Sequence, residues 1–375
     1  MNIRIISIFL IIPLLLSSCW KEEADNIPVP ANRTILFYMA GDNSLGDETQ
    51  QKIDALAAAW NIVGSSHLLV YQDRGGETMP RLLEIKSGAD GKGTAEVLEE
   101  YKDENSASTG VFVRVLNDMI RYYPGSDYGL IVFSHSSGWL PAGTFTQPRS
   151  VVTDGDTELN LIDFARSIPN AQFRFIVFES CLMAGVEVAY ELKDKTSHIL
   201  ASSAEILSPG FKPLYGRMLE KLYQATPDLA GFAREYYDYC NQLSGDGRSA
   251  TVSVINTAGL APLKSLLARA ESNVEHWEWV ERDGIQHFDR RAKDYLFYDL
   301  EGYIKSIGTQ EEINELAGIL EETVIYKAAT DEFMSGDKYG YPIKQHCGMT
   351  IYIPVAKFKE LNTQRNRLLL FSENQ

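Results

Sequence analysis

Four short apolar segments, each followed at once by polar or small residues, constrain the fold of this chain more than any other feature. They cover residues 34–40, 67–71, 128–133 and 173–178. Each is rich in β-branched and aromatic residues, and none alternates cleanly between apolar and polar positions. This pattern is typical of strands that are buried on both faces of a mostly parallel sheet.

Segments with helical spacing lie between these predicted strands. They cover residues 47–60, 111–122, 159–168 and 183–192, and Ser108 precedes the second as a predicted cap. Strands that alternate with helices predict an α/β fold, in which helices cover both faces of the central sheet. Sites in such sheets lie at the carboxyl ends of the strands.

The second half of the chain is less regular. Helical spacing covers residues 228–243, 260–279, 294–307 and 311–328, and residues 197–202, 251–255 and 348–354 resemble strands. We expect this mostly helical half to extend and cover the same sheet.

Length and composition exclude several classes of protein. The 375 residues are 45% hydrophobic and 23% charged, unlike a disordered chain or a disulfide-stabilised miniprotein. The formal net charge of −16 argues against nucleic-acid binding, because an acidic surface repels phosphates. The four cysteines are too few and too scattered for a disulfide framework. The sequence has no CxxC or HExxH motif, so it predicts neither a zinc site nor a required cofactor.

The N-terminus has the features of a secretory signal. Arg4 precedes an apolar run at residues 5–16, which is shorter than a membrane span. Leu16-Ser17-Ser18-Cys19 resembles a bacterial lipobox, in which Cys19 is lipidated and becomes the new N-terminus; a plain signal peptide is the alternative. Lipid chains on Cys19 would anchor the protein to a membrane. Residues 20–23 (WKEE) are similar to the signal of some Gram-negative surface lipoproteins, or form a solvated linker. We therefore expect a location at the outer membrane, with surface display as the finer expectation.

Two reactive side chains follow two of the predicted strands. His135 follows the third strand and Cys181 the fourth, 46 residues later, similar to the roughly 50 residues of the caspase arrangement. If these strands are parallel neighbours, both side chains emerge at one sheet edge. A thiol beside an imidazole can become a thiolate nucleophile, and the imidazole can protonate a leaving amine. A buried, unreactive cysteine and an ordinary loop histidine are the alternative interpretation.

Several segments resemble the clostripain family of cysteine peptidases. They are YMAGDNSL (38–45), HSSGW (135–139), CLM (181–183), EVAYEL (187–192) and GMTIYIP (348–354). The resemblance implies the fold shared by caspases, legumains and gingipains, and a protein or peptide substrate. It also implies that Cys181 is the nucleophile and His135 the general acid and base.

The same resemblance implies an oxyanion hole formed by backbone N–H groups of Cys181 and Ser136. Here the chain departs from the family, which normally has glycine directly after the histidine. Serine tolerates a positive φ less well than glycine, so activity could be reduced. A surface-binding lipoprotein that has lost catalysis is therefore one alternative.

The resemblance further implies cleavage after Arg or Lys, with acidic groups in the S1 pocket. Glu179 stands where the family usually has aspartate, two residues before the cysteine, and Glu205 follows the next predicted strand. A solvated loop acid is the alternative for Glu205. Because Glu179 departs from the family pattern, and Phe211 stands where relatives often have a polar residue, a non-basic P1 preference also stays open.

Two further expectations concern processing and ions. Members of the family can be activated by cleavage of a loop between the histidine and the cysteine, and Arg149 is the candidate self-cleavage residue in residues 141–152. Residues 154–158 (DGDTE) could bind Ca²⁺, but they lack the EF-hand pattern, and we favour a helix cap here.

The predicted organisation has four parts. Residues 1–18 form a lipoprotein signal peptide, and residues 19–33 carry the lipidated cysteine and a tether. Residues 34–215 form the caspase-like catalytic core. Residues 216–375 form a C-terminal extension that packs on the core sheet and completes it.

Overall fold

The computed structural model describes residues 32–62, 64–88, 93–125, 127–141, 144, 150–290 and 295–372. The signal peptide, the lipidation at Cys19 and the cleavage at Arg149 therefore concern residues outside this range.

The strands are β1 (Arg33–Ala40), β2 (His67–Asp73), β3 (Arg81–Ser87), β4 (Gly93–Glu100), β5 (Asp127–Phe133), β6 (Val152–Asp154), β7 (Thr157–Leu159), β8 (Phe173–Glu179), β9 (Thr196–Ala201), β10 (Thr251–Asn256), β11 (Tyr298–Asp299), β12 (Val324–Ala329), β13 (Glu332–Phe333), β14 (Tyr341–Pro342) and β15 (Thr350–Ile351). The helices are α1 (Gly46–Ala59), α2 (Thr109–Tyr122), α3 (Leu161–Ser167), α4 (Val186–Glu191), α5 (Tyr215–Leu222), α6 (Leu229–Asn241), α7 (Leu263–Ser272), α8 (Leu300–Ile307), α9 (Gln310–Thr323) and α10 (Lys359–Arg365).

Nine of the described strands form one central sheet, in the order β12-β10-β9-β8-β5-β1-β2-β3-β4. The five central strands, from β9 to β2, are parallel, and the outer strands on both sides are antiparallel. The four apolar segments predicted as strands are β1, β2, β5 and β8. The prediction of a mostly parallel α/β sheet is therefore confirmed.

Strand β1 shows why these segments lack alternation, because all eight of its residues are buried. Its side chains pack alternately into two hydrophobic cores, one on each face of the sheet: Ile35, Phe37 and Met39 into one, Leu36, Tyr38 and Ala40 into the other. Helices α1, α5 and α6 contribute to the first core, and α2, α3, α4 and α7 to α9 contribute to the second. Helix α2 begins as predicted, since Ser108 accepts a hydrogen bond from Val111 N–H.

The antiparallel outer strands are the part of the sheet that the sequence did not predict fully. Residues 311–328 were expected to form one helix, but α9 ends at Thr323 and β12 follows directly. Val324, Ile325 and Tyr326 are β-branched or aromatic, and Val324 and Tyr326 pair with β10. Strands β3 and β4 had no predicted counterpart.

The last predicted strand, residues 348–354, is also corrected. Within it only Thr350 and Ile351 are extended as β15, and they pair with β11 outside the central sheet. Thr350 N–H donates to the carbonyl of Ala184, which fixes this segment beside the loop after β8. No described helix is long and apolar enough to cross a bilayer.

Candidate active site

Strands β5 and β8 are parallel neighbours, and their register brings His135 and Cys181 to one sheet edge. Phe133 pairs with Glu179 at the carboxyl ends of the two strands. His135 and Cys181 each lie two residues beyond that pair, and both side chains are half-buried. The strand arrangement that the predicted chemistry required is therefore present.

The backbone next to Cys181 is tightly held. Leu182 has a φ of 62°, in the left-handed region that residues other than glycine rarely adopt. Its N–H donates to Ala204 O at 2.9 Å, and the Cys181 Sγ lies 4.0 Å from Ile206 O. Strained backbone of this kind persists where the surrounding structure fixes it, as at active sites.

One nitrogen of His135 contacts a side chain to which the sequence assigned no role. Ser44 Oγ lies 2.8 Å from His135 Nε2. Ser44 belongs to the loop between β1 and α1, which Asn43 secures through a 3.1 Å hydrogen bond to Thr153 O. The sequence signal for this contact is that Ser44 closely follows β1. Because β1 and β5 are parallel neighbours, the residues that follow them meet at the same edge of the sheet.

Ser136 fits its position without the conformation that glycine would provide. Its φ is not in the left-handed region. The buried hydroxyl donates to Met183 Sδ at 2.8 Å and accepts from Gly138 N–H at 3.2 Å. The strain that favoured the inactive alternative is therefore absent.

Gly138 is the residue of this loop that requires glycine. Its φ is 66°, and a Cβ built there would lie 2.7 Å from Leu182 O. Trp139 is buried and packs edge-on against Tyr352, with ring centroids 5.5 Å apart. The loop after His135 is thus in close contact with the loop after Cys181.

Glu179 points into the core instead of into open space. Its side chain is 1% exposed and lies 2.6 Å from Lys52 Nζ. It also accepts hydrogen bonds from Phe211 N–H at 2.6 Å and Tyr215 OH at 2.9 Å. Burial and the adjacent Glu179 charge raise the pKa of Tyr215 well above its usual value, so this phenol remains a donor. Both oxygens of the Glu179 carboxylate therefore accept hydrogen bonds inside the core. In the described structure this side chain is not an open binding group.

Glu205 lies on the loop that passes the nucleophile. Its neighbours in the chain, Ala204 and Ile206, are the residues that contact Leu182 and Cys181. The side chain is buried, and its Oε2 lies 3.2 Å from Arg290 Nη2. The solvated-loop alternative therefore does not describe it.

Residues 154–158 form the turn of a hairpin between β6 and β7, so the predicted helix cap is wrong. The cap of α3 is Asn160, which accepts from Asp163 N–H. Asp154 is occupied within the protein, because it accepts from both the N–H and the hydroxyl of Ser106. In the part of the chain that the structure describes, no group of three or more acidic, histidine or cysteine residues could hold a metal ion. Among the described residues, 154–158 therefore form no cluster of this kind.

The remaining described cysteines lack the environment of a nucleophile. Burial raises the pKa of the Cys240 thiol to about 11 and raises that of Cys347 further. His346, which is beside Cys347 in the sequence, is buried, and its pKa is lowered to about 3. These thiols stay protonated and inert, as expected for residues of the core.

The sequence matches the clostripain family over residues 37–354. The chain belongs to the clostripain family. Its structure is similar to that of an inactive zymogen C11 protease from Parabacteroides distasonis, with 28% identity, a TM-score of 0.79, and coverage of 92% of this chain and 98% of that one. It is also similar to a secreted C11 cysteine protease from Bacteroides thetaiotaomicron in complex with an irreversible peptide inhibitor, with 24% identity, a TM-score of 0.77, and coverage of 91% and 98%. No curated protein matches.

Membership of this family makes the chain a cysteine peptidase, a hydrolase that acts on protein or peptide substrates. The expected clostripain resemblance and the caspase-like fold are both confirmed.

Proposed function

We propose that this clostripain-family peptidase is an endopeptidase that uses a Cys181–His135 dyad and cleaves after Arg or Lys. The observation that carries the proposal is the register of β5 and β8, which brings the two side chains to the same sheet edge. Ser44 Oγ, 2.8 Å from Nε2, holds the imidazole in place.

The chemistry follows from these groups. The Cys181 thiolate attacks the scissile carbonyl carbon, and backbone N–H groups of Ser136 and Cys181 stabilise the oxyanion that forms. His135 then protonates the leaving amine as the C–N bond breaks, which leaves an acyl-enzyme. Water attacks the thioester and gives a proton to His135, and the thiolate departs.

The preference for a basic P1 residue rests on acid groups near the nucleophile. Of the two candidates, Glu205 is the better placed, since its loop contacts Cys181 directly. A non-basic P1 preference is a second candidate function, because Lys52 and Arg290 already pair with Glu179 and Glu205.

The proposal extends to attachment and processing of the chain. The lipobox-like sequence supports lipidation of Cys19 and a location on the outer membrane, displayed to the outside. Incorporation of labelled palmitate in the wild type, but not in Cys19→Ser, would test lipidation. Arg149 supports self-cleavage, which Cys181→Ala and Arg149→Gln should both abolish.

The central experiment compares hydrolysis of fluorogenic peptides with P1 Arg, Lys, Asn and Asp by the full-length chain. Cys181→Ala and His135→Ala are measured in parallel, with and without calcium. Loss of turnover in both variants would support the dyad, and preference for Arg or Lys would support the basic pocket. Efficient cleavage of only the neutral peptide would contradict the P1 assignment but keep the dyad.

Thiol labelling provides an independent readout of the nucleophile. Iodoacetamide modification, mapped by mass spectrometry, should reach Cys181 at least tenfold faster than Cys240 or Cys347, because only the thiolate reacts. Equal, slow labelling of all three together with absent turnover would contradict the proposed dyad.

A further inference from the structure

The Glu205–Arg290 pair lies next to the nucleophile and joins two distant parts of the chain. Glu205 belongs to the loop whose Ile206 carbonyl lies 4.0 Å from Cys181 Sγ. Arg290 belongs to a segment between α7 and α8. Its Nη2 donates to Glu205 Oε2 at 3.2 Å. A guanidinium therefore already forms an ion pair with a buried carboxylate beside the proposed nucleophile.

The contacts that the structure describes for Arg290 leave part of its guanidinium without a hydrogen-bond partner. Beyond Glu205, the guanidinium also contacts Asp337 Oδ1, at the longer distance of 3.6 Å. Its Nε is buried and has no hydrogen-bond partner in the described part of the chain. A guanidinium has five N–H donors in a fixed fork, and the described hydrogen bonds use only some of them. The pairing is thus less complete than a bidentate ion pair would be.

Lys52, the cation that pairs with the other acid, shows the opposite arrangement. Its side chain is fully buried and lies 2.6 Å from Glu179, 3.3 Å from Glu48 and 3.3 Å from Pro209 O. Its Nζ also lies 4.3 Å from the ring centroid of Phe133. Lys52 is built into the core, whereas the Arg290 side chain remains 15% exposed.

Two carboxylates contact the Arg290 guanidinium in the described part of the chain. Glu205 and Asp337 contact its guanidinium, and Asp289 precedes it in the chain. Burial, and to a smaller extent the charge of Glu205, raises the pKa of Asp289 to about 7. If Arg290 moves away, the Glu205 carboxylate loses this cation, and a substrate cation can replace it.

We propose that Arg290 is an internal substitute for a basic P1 side chain, and that a substrate guanidinium displaces it from Glu205 during binding. This inference rests on the basic P1 preference of the proposed function. A substrate arginine can form a bidentate pair with Glu205, whereas a lysine offers a point charge. Arg290 thereby lowers the affinity for all basic substrates and disfavours lysine more than arginine.

The test measures binding of agmatine, a small guanidinium compound, to full-length protein that carries Cys181→Ala, so that catalysis is not needed. We expect Arg290→Gln to lower the agmatine Kd about tenfold, equivalent to ~1.4 kcal/mol. Agmatine should also raise the melting temperature of Arg290→Gln more than that of the parent, which reports folding and binding together. Glu205→Gln should abolish binding in both backgrounds.

Arg248→Gln is the matched control, because it removes the same charge from an ion pair with Asp331 at 3.2 Å. It should leave the agmatine Kd unchanged. In the active enzyme, Arg290→Gln should lower KM for the P1-Arg peptide, whereas Arg248→Gln should leave it unchanged.

The outcomes separate the inference from the proposed function. Agmatine binding that is unchanged or weakened in Arg290→Gln overturns the inference, even if P1-Arg peptides are cleaved. Tighter agmatine binding in that variant, with cleavage of neutral peptides only, overturns the basic P1 preference and with it the role of Arg290 as a substitute for a P1 side chain.

Discussion

The Nζ of Lys52 lies 2.6 Å from Oε1 of Glu179, and both side chains are almost completely buried. The pair joins helix α1 to the end of β8, two residues before Cys181. It therefore connects the packing of the core to the position of the proposed nucleophile.

Replacing Lys52 by methionine should destabilise the protein by about 3–5 kcal/mol, because it leaves a buried carboxylate without its cation. Urea denaturation measures the effect. Lys305→Met is the control, since Lys305 pairs with Glu301 on the surface, and it should cost less than ~1 kcal/mol. Equal losses in the two variants would contradict the role of the buried pair.

Removing the Ser44 hydroxyl should slow catalysis without weakening substrate binding. One hydrogen bond to His135 is worth about 1 kcal/mol, so Ser44→Ala should lower kcat roughly fivefold and leave KM unchanged. Ser44→Thr, which keeps a hydroxyl at this position, should restore kcat. Ser265→Ala, which removes a surface hydroxyl bonded to Pro262 O, should change neither constant. A rise in KM alone would argue against orientation of the imidazole.

Gly138→Ala should inactivate the enzyme, because the new Cβ would meet Leu182 O and the φ of 66° disfavours alanine. The clash would separate the loops that carry His135 and Cys181. Gly110→Ala in α2 is the matched control, since no atom lies within 4 Å of its built Cβ. Peptide hydrolysis together with thermal melting distinguishes local from global damage. Normal activity in Gly138→Ala would refute the contact.

Glu187 should make the protein less stable at high pH. Burial raises the pKa of this carboxyl from 4.5 to about 7. The folded state therefore binds more protons than the unfolded state between these values, and stability is lost as pH rises from about 4.5 to 7. At 1.4 kcal/mol per pKa unit, the loss is up to about 3 kcal/mol.

Glu187→Gln keeps an acceptor for Tyr352 N–H, which lies 2.8 Å from Oε1, and removes the titration. The difference in unfolding free energy between wild type and variant should therefore change with pH over this window. A constant difference from pH 5 to pH 8 would contradict the assignment.

The sequence predicts the centre of this fold better than its edges. Strands β1, β5 and β8 are recognisable because burial on both faces leaves an uninterrupted apolar run. Strand β12 is half-buried and follows α9 directly, so its residues continue the helical pattern of the preceding segment. Local spacing alone does not distinguish the two.

In the candidate site, the sequence locates the groups but not their partners. Strand ends identify His135 and Cys181, because that prediction needs only neighbouring parallel strands. The pairings of Glu179 with Lys52 and of Glu205 with Arg290 join residues that are 127 and 85 positions apart. Only the folded chain shows that both acids already have a cation.

The pairing of β5 with β8 has a consequence for a chain that is cut between residues 141 and 150. The N-terminal fragment would carry β1 to β5 and His135, and the C-terminal fragment would carry β8 to β10, β12 and Cys181. The two fragments would remain joined through the middle of one sheet, as the subunits of a heterodimer that each lack one residue of the proposed dyad. Neither piece would be an enzyme by itself. Separately produced pieces would regain activity only if β5 and β8 paired again.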